Sequence, residues 1–158
     1  MKTNMKVIPQ IVLVFFLVWC CYTVPASLAD QASVARWIAS IESEDVLFGS
    51  AQQSLSATSR EQLNMISAKL AQLYGHFIIE VTGHTDDSGD ADENLRLSHM
   101  RALSVVEYLS QKNLHHHRFL VQSKGEFQPT VSNATEQGRM QNRRVEIRVV
   151  ADGDAKIS

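Results

Sequence analysis

GHTDDSGDADENLRLSHMR, residues 83–101, places one acid, Asp86, just past an apolar segment and one base, Arg101, inside a stretch with helical periodicity. Leu97, Arg101, Val105 and Leu109 recur every four residues, with Ser98 and Ala102 beside them. A 3.6-residue period keeps that set on one face of a helix. An arginine on the inward stripe has two readings. It covers the core edge with its stem while its head snorkels to water, or it meets an anion in a cleft. A carboxylate and a guanidinium converging in one cleft would hold a ligand that carries both an ammonium and a carboxylate. That is the chemistry of a free amino-acid head group. The stripe alone does not supply the anion.

Elements on either side follow from pattern. Val46-Leu47-Phe48, stopped by Gly49-Ser50, reads as a strand. Residues 58–74 read as a helix, with Leu63, Ile66, Leu70 and Leu73 at helical spacing, Ser59 as cap and Gly75 as stop. Residues 77–81 form a β-rich run ending at Gly83, and 90–113 a second helix opened by Asp90 with Glu93 three residues on. A third strand covers 119–123, Gln128-Pro129 marks a turn, and 135–141 suits a short helix. In 144–150, Val145, Ile147 and Val149 alternate with Glu146 and Arg148, the signature of a half-buried strand. The order β-α-β-α-β-(α)-β predicts an α/β two-layer sandwich, with helices packed on a mixed four-stranded sheet.

The 158 residues suffice for one such domain after a targeting segment. Residues 1–29 read as a signal peptide or N-terminal anchor: Lys2 and Lys6, an apolar stretch, then Ser27-Leu28-Ala29 before Asp30. The apolar core of this segment, 11–22, is short for a transmembrane helix, which needs about 20 residues. Both cysteines, Cys20 and Cys21, lie inside it, so the remainder carries no disulfide. Lipidation at a cysteine is the alternative to cleavage, although Trp19 stands where lipoprotein signals favour a small residue. Residues 30–44 form a short lead with one apolar patch, worth one or two helical turns or a packed arm. The domain spans 45–150 and a tail follows at 151–158. Removing Lys2 and Lys6 leaves 13 basic and 17 acidic side chains, which argues against nucleic acid as the main partner.

Two long motifs match a known family. The first comprises Gly83-His84-Thr85-Asp86, Gly89, Asn94, Leu97-Ser98, Arg101-Ala102, Val105 and Tyr108-Leu109. The second comprises Gly138-Arg139 and Asn142-Arg143-Arg144-Val145-Glu146, preceded by Gly125-Glu126, Pro129 and Asn133-Ala134-Thr135. Together, over roughly 45–150, they resemble the OmpA-like peptidoglycan-binding domain of outer-membrane porins, peptidoglycan-associated lipoproteins and flagellar stator proteins. The resemblance implies a non-catalytic protein of the periplasm and outer-membrane envelope in a Gram-negative cell. It implies a site for the diaminopimelate of the peptidoglycan stem peptide, with Asp86 and Arg101 as ligand residues. An arginine grips a carboxylate with two parallel hydrogen bonds, and the aspartate takes the ammonium. The start of the helix near Asp90 and Ala91 would add free N–H groups for an anion. Thr85 and Asn94 are candidates for neutral hydrogen bonds, the alternative for Asn94 being a helix-start role. Arg143 or Arg139 approaches the ligand or pairs with acids, the alternative being a charge at the sheet edge. The chain departs from the family in its acidic loop, Asp87, Asp90, Asp92 and Glu93, which favours an ammonium over a carboxylate.

Competing chemistry has little support in the pattern. His84, Asp86 and Asp87 lack a third ligand at a metal-binding spacing. No Ser or Cys nucleophile sits in a recognisable catalytic pattern. Neither cofactor nor metal is expected. The run His115-His116-His117 reads as solvated, near the C-terminal end of the second helix. The alternative function is an envelope scaffold that docks another envelope protein, with membrane association only through the N-terminus. A closed ion pair between Asp86 and Arg101 would favour that alternative; an open cleft between them would favour ligand binding.

Overall fold

A computed structural model of the chain describes residues 27–152. The 1–29 segment, both cysteines included, lies outside the described residues except for its last three, as does the tail beyond residue 152. The element order is α1 (Ser27–Glu42), β1 (Val46–Leu47), α2 (Ala57–Leu70), β2 (Phe77–His84), α3 (Ala91–Ser110), β3 (Arg118–Gly125), α4 (Glu136–Asn142) and β4 (Arg144–Ala151). The four strands form one mixed sheet in the order β1-β4-β2-β3. Strand β2 runs parallel to β3 and antiparallel to β4, and β1 is antiparallel to β4. This is the mixed-sheet α/β sandwich that the pattern predicts.

The period-2 alternation of the strands decides the core. Phe77, Ile79 and Val81 of β2 and Val145, Ile147 and Val149 of β4 are buried with Leu63, Ile66 and Leu70 of α2 and Ala102, Val105 and Leu109 of α3. On the other face, Thr82 pairs with Glu146, Glu80 with Arg148 and Ile78 with Val150 across the strands. Burying one Leu or Ile of this core is worth about 1.5–3 kcal/mol.

Helix α3 lies close on the parallel strands because two small residues permit it. A Cβ at Gly83 would run into the backbone carbonyl of Ser98. The Ser98 hydroxyl accepts the Gly125 N–H of β3 at 3.0 Å. That contact fixes the rotation of α3 and turns Arg101, one turn further on, toward the carboxyl end of β2.

Helix α2 begins one residue earlier than its pattern suggests. Its cap is Ser56, not Ser59: the Ser56 hydroxyl accepts the Ser59 N–H at 3.0 Å. Ser59 is buried instead and donates its hydroxyl to the Leu47 carbonyl at 3.1 Å, tying the helix to β1. The helix ends at Leu70, where a tighter turn takes over as Leu73 N–H bonds Leu70 O.

The lead segment forms most of α1, a four-turn helix rather than one or two turns. Tertiary contacts extend it. Ile41 is fully buried, the Trp37 indole N–H donates to Lys69 O at 2.9 Å, and Lys69 Nζ donates to Ser40 O at 3.0 Å. Glu42 Oε1 accepts the Val149 N–H at 3.0 Å, on the edge of β4 beyond the two residues that β1 pairs. An unpaired edge of that kind is an aggregation hazard, and α1 covers it. No described helix is long and apolar enough to cross a membrane.

The histidine run is split by packing. His115 is exposed, whereas His117 is buried, donates Nε2–H to Leu70 O at 3.1 Å and meets the Phe77 ring edge-on.

Candidate ligand-binding site

A cavity of about 820 Å³ opens where β2 ends and α3 begins. Ligand crevices in α/β folds form at this carboxyl end of parallel strands. Its walls come from three segments: residues 50–54 after β1, residues 85–90 after β2, and the inward stripe of α3. Thr85, Asp86, Asn94 and Arg101 all line it. Arg143 does not; it stands behind Asp86.

Each charge has a defined partner. Arg101 is fully buried and donates from Nε to Gln52 O at 2.8 Å, from Nη1 to His84 O at 2.9 Å and from Nη2 to Gly49 O at 2.9 Å. Its guanidinium carbon lies 5.4 Å from the centre of the Phe48 ring. The snorkelling reading therefore fails: the head is the buried part. A guanidinium has five N–H donors. Three are used, leaving one on each terminal nitrogen. Nε is already bonded, so a ligand carboxylate would have to use the two that remain on the terminal nitrogens. Burial pulls the Arg101 pKa down to about 10, with Arg143 adding to the effect and Asp86 opposing it. The group remains charged at neutral pH.

Asp86 is equally committed. Its Oδ1 accepts the Ser88 N–H at 3.1 Å and its Oδ2 accepts Arg143 Nη1 at 2.7 Å. Burial raises the pKa of such a carboxyl. The bonds from Arg143 and Ser88 outweigh it and hold Asp86 below the ordinary carboxylate range. Asp86 and Arg101 are thus not a closed pair with each other. Asp86 faces the cavity as an ionised acid and Arg101 as a base with spare donors.

The neutral residues divide. The Thr85 hydroxyl is buried and has no hydrogen-bond partner within the protein. An orphaned hydroxyl on a cavity wall is costly unless a ligand or water completes it. Both amide hydrogens of Asn94 are consumed, one by Ser88 O at 3.1 Å and one by Glu126 Oε2 at 2.7 Å. Only its carbonyl oxygen is left to offer, and that accepts hydrogen, as a contact to an ammonium requires. The start of α3 is not the anion site that the sequence suggests. Asp90 Oδ1 already accepts the N–H groups of Asp92 at 2.9 Å and Glu93 at 3.2 Å, and its carboxylate offsets the helix dipole there.

Three contributors escaped the sequence reading. The carbonyls of Gly49 and Gln52 hold Arg101, and backbone acceptors have no side-chain signature. Glu136 holds Arg143, and at the sequence level it is one acid among many.

Residues 47–143 match the OmpA family. The chain belongs to that family. This OmpA-family chain is 33% identical over 131 residues to outer membrane protein A of Bordetella avium, covering 82% of the chain and 67% of that protein. It is 31% identical over 123 residues to the peptidoglycan-binding protein ArfA of Mycobacterium tuberculosis, covering 78% of the chain and 37% of that protein. Among solved structures, the C-terminal domain of Helicobacter pylori MotB superposes with a TM-score of 0.62 at 26% identity, covering 70% of the chain and 86% of that domain. The OmpA-family chain thus spans two thirds or less of the length of these two sequence relatives.

His84 gives the domain a pH signature separate from its ligand. It is 2% exposed, and burial pushes its pKa down to about 4, with Arg144 adding to the effect and Glu146, 3.4 Å away, opposing it. Burial also lowers His117. A histidine whose folded pKa lies below its unfolded 6.5 contributes stability above pH 6.5 and loses it as pH falls toward the folded value. For His84 the loss at pH 5 is about 2 kcal/mol. The urea midpoint should therefore fall clearly from pH 7.5 to pH 5, above the range where the carboxylates titrate, and His84→Gln should flatten that fall. An unchanged slope in the variant would contradict the assignment.

Proposed function

We propose that this OmpA-family chain is a non-catalytic envelope protein that binds peptidoglycan non-covalently through diaminopimelate in the stem peptide. The observation that carries the reading is the pairing of opposite charges on one cavity. An ionised Asp86 and a guanidinium with two unused donors line the same 820 Å³ space without neutralising each other. The ligand carboxylate lies against the terminal nitrogens of Arg101. Its ammonium lies against Asp86 and the Asn94 carbonyl oxygen, and Thr85 completes its hydrogen bonds on the ligand. The acidic rim of Asp90 and Glu93 favours the ammonium side. Location in the periplasm, and any docking to a further envelope protein, follow from the same reading. The envelope-scaffold alternative gains nothing from the geometry, because a closed Asp86–Arg101 pair is what would have supported it.

The test is co-sedimentation of the purified chain with isolated sacculi, in competition with free meso-diaminopimelate. The protein should pellet with the sacculi and be released by the amino acid. Failure to pellet sinks peptidoglycan binding. Pelleting that excess diaminopimelate leaves untouched sinks the assignment to this residue.

A further inference from the structure

We propose that Glu136 and Arg143 form a positioning relay for Asp86, setting the direction and charge of that carboxylate without touching the ligand. The proposal rests on the ligand reading above and adds residues outside the cavity to it. Arg143 sits at the joint between α4 and β4. Its N–H bonds Arg139 O at 3.1 Å and its carbonyl accepts the Phe48 N–H at 2.9 Å, so its backbone is pinned from both sides. From there the side chain, 7% exposed, crosses to Asp86 at 2.7 Å through Nη1 and to Glu136 at 2.8 Å through Nη2.

Glu136 divides its two oxygens between two arginines. Oε1 takes Arg143, and Oε2 takes Arg139 Nε at 3.0 Å and Nη2 at 2.9 Å. Thr135 caps α4 directly before it, accepting the Gly138 N–H at 3.1 Å. Glu136 is therefore fixed at the first position of a helix, and it fixes the plane of the Arg143 guanidinium. A planar fork held at one prong presents the other in one direction.

The consequence falls on Asp86. At 5% exposure its carboxylate depends on partners for its charge. Arg143 and the Ser88 N–H bond it directly. The Ser88 hydroxyl adds a further bond, Arg101 from α3 adds favourable charge, and burial opposes the ionised form. Without Arg143 the favourable charge falls to Arg101 alone, and the carboxyl takes up a proton more readily. A protonated Asp86 no longer offsets an ammonium. The loss is therefore specific to the ligand's positive end.

The test uses a stem tripeptide ending in meso-diaminopimelate and an analogue whose distal amino group is replaced by hydrogen. Affinities come from calorimetry, and the Asp86 carboxyl titration is followed by NMR in the free protein. Arg143→Gln should weaken tripeptide binding about tenfold or more, change analogue binding less than about twofold, and move the Asp86 midpoint upward. Glu136→Gln should do the same in smaller measure, and Arg143→Lys should recover part of the loss. Equal weakening of both ligands by Arg143→Gln would place Arg143 on the ligand carboxylate and overturn the relay. An Asp86 midpoint unmoved in both Arg143→Gln and Glu136→Gln would also overturn it. If Arg143→Gln does not fold, the surface variant Glu136→Gln decides by the same two readouts. A parent protein that binds neither peptide refutes the ligand reading, while the NMR midpoints still test the relay.

Discussion

Asp86→Asn is expected to weaken binding to peptidoglycan by about 30-fold or more while the domain remains folded. The asparagine keeps the size of the site, and its single oxygen can still accept from Arg143, which bonds Asp86 Oδ2 at 2.7 Å, while the Ser88 N–H loses its acceptor. The charge and one hydrogen bond are lost. A ligand ammonium then faces a neutral amide in a desolvated site, a loss worth roughly 2–5 kcal/mol. At about 1.4 kcal/mol per decade this exceeds 30-fold. Arg101 calls for a different substitution. Alanine there leaves the carbonyls of Gly49, Gln52 and His84 without their donor, and that of His84 is buried. The unpaired buried group costs about 1–3 kcal/mol and the vacated side-chain volume adds a cavity cost, so Arg101→Ala is expected to destabilise the fold as well as lose the ligand. Arg101→Lys keeps a charge but presents a point rather than a fork. It should retain a folded domain by circular dichroism and lose sacculus binding nearly as completely as Asp86→Asn. Folded variants that sediment with sacculi as well as the parent does would refute the site.

Gly83→Ala should be among the most destabilising single-methyl changes in the domain. The added Cβ meets the backbone carbonyl of Ser98, which cannot rotate away as a side chain would. Relief requires α3 to lift from β2. That movement strains the Ser98 hydroxyl bond to Gly125 and the Arg101 bond to His84 O together. We expect a loss of about 3 kcal/mol or more and a drop in Tm of roughly 10 °C or more. Gly89→Ala is the contrast. Nothing lies within 4 Å of a Cβ there, and only the left-handed φ of +94° opposes the side chain, at about 1–2 kcal/mol. If Gly83→Ala proves no worse than Gly89→Ala by urea denaturation, the close approach of α3 to the sheet does not set the stability.

Much of this arrangement was legible in the sequence because it is local. Helical spacing placed Arg101 inward, and the structure buries it with Ala102, Val105 and Leu109. The alternation of residues 144–150 gave a strand with its apolar side in the core, and β4 runs Arg144–Ala151. Asp90 followed by Glu93 marked the start of α3, and Asp90 is its cap. The apolar patch of residues 30–44 was less informative, because α1 owes its length to contacts with Lys69 and Val149 that no local pattern encodes.

Periodicity within 83–101 was enough to set an acid and a base at the end of one strand and on the facing side of one helix. It could not say which partner each would take. That was decided by β4 lying between β1 and β2. The antiparallel register opposes Gly83 with Val145, so the start of β4 meets the end of β2. Arg143 is thereby delivered to Asp86 across 57 residues of chain, and the loop after β1 delivers Gly49 O to Arg101 across 52. A side-chain period reports which face a residue occupies, since it is written over a few neighbouring positions. Pairing between distant charges depends on strand order and register, which only the assembled sheet determines.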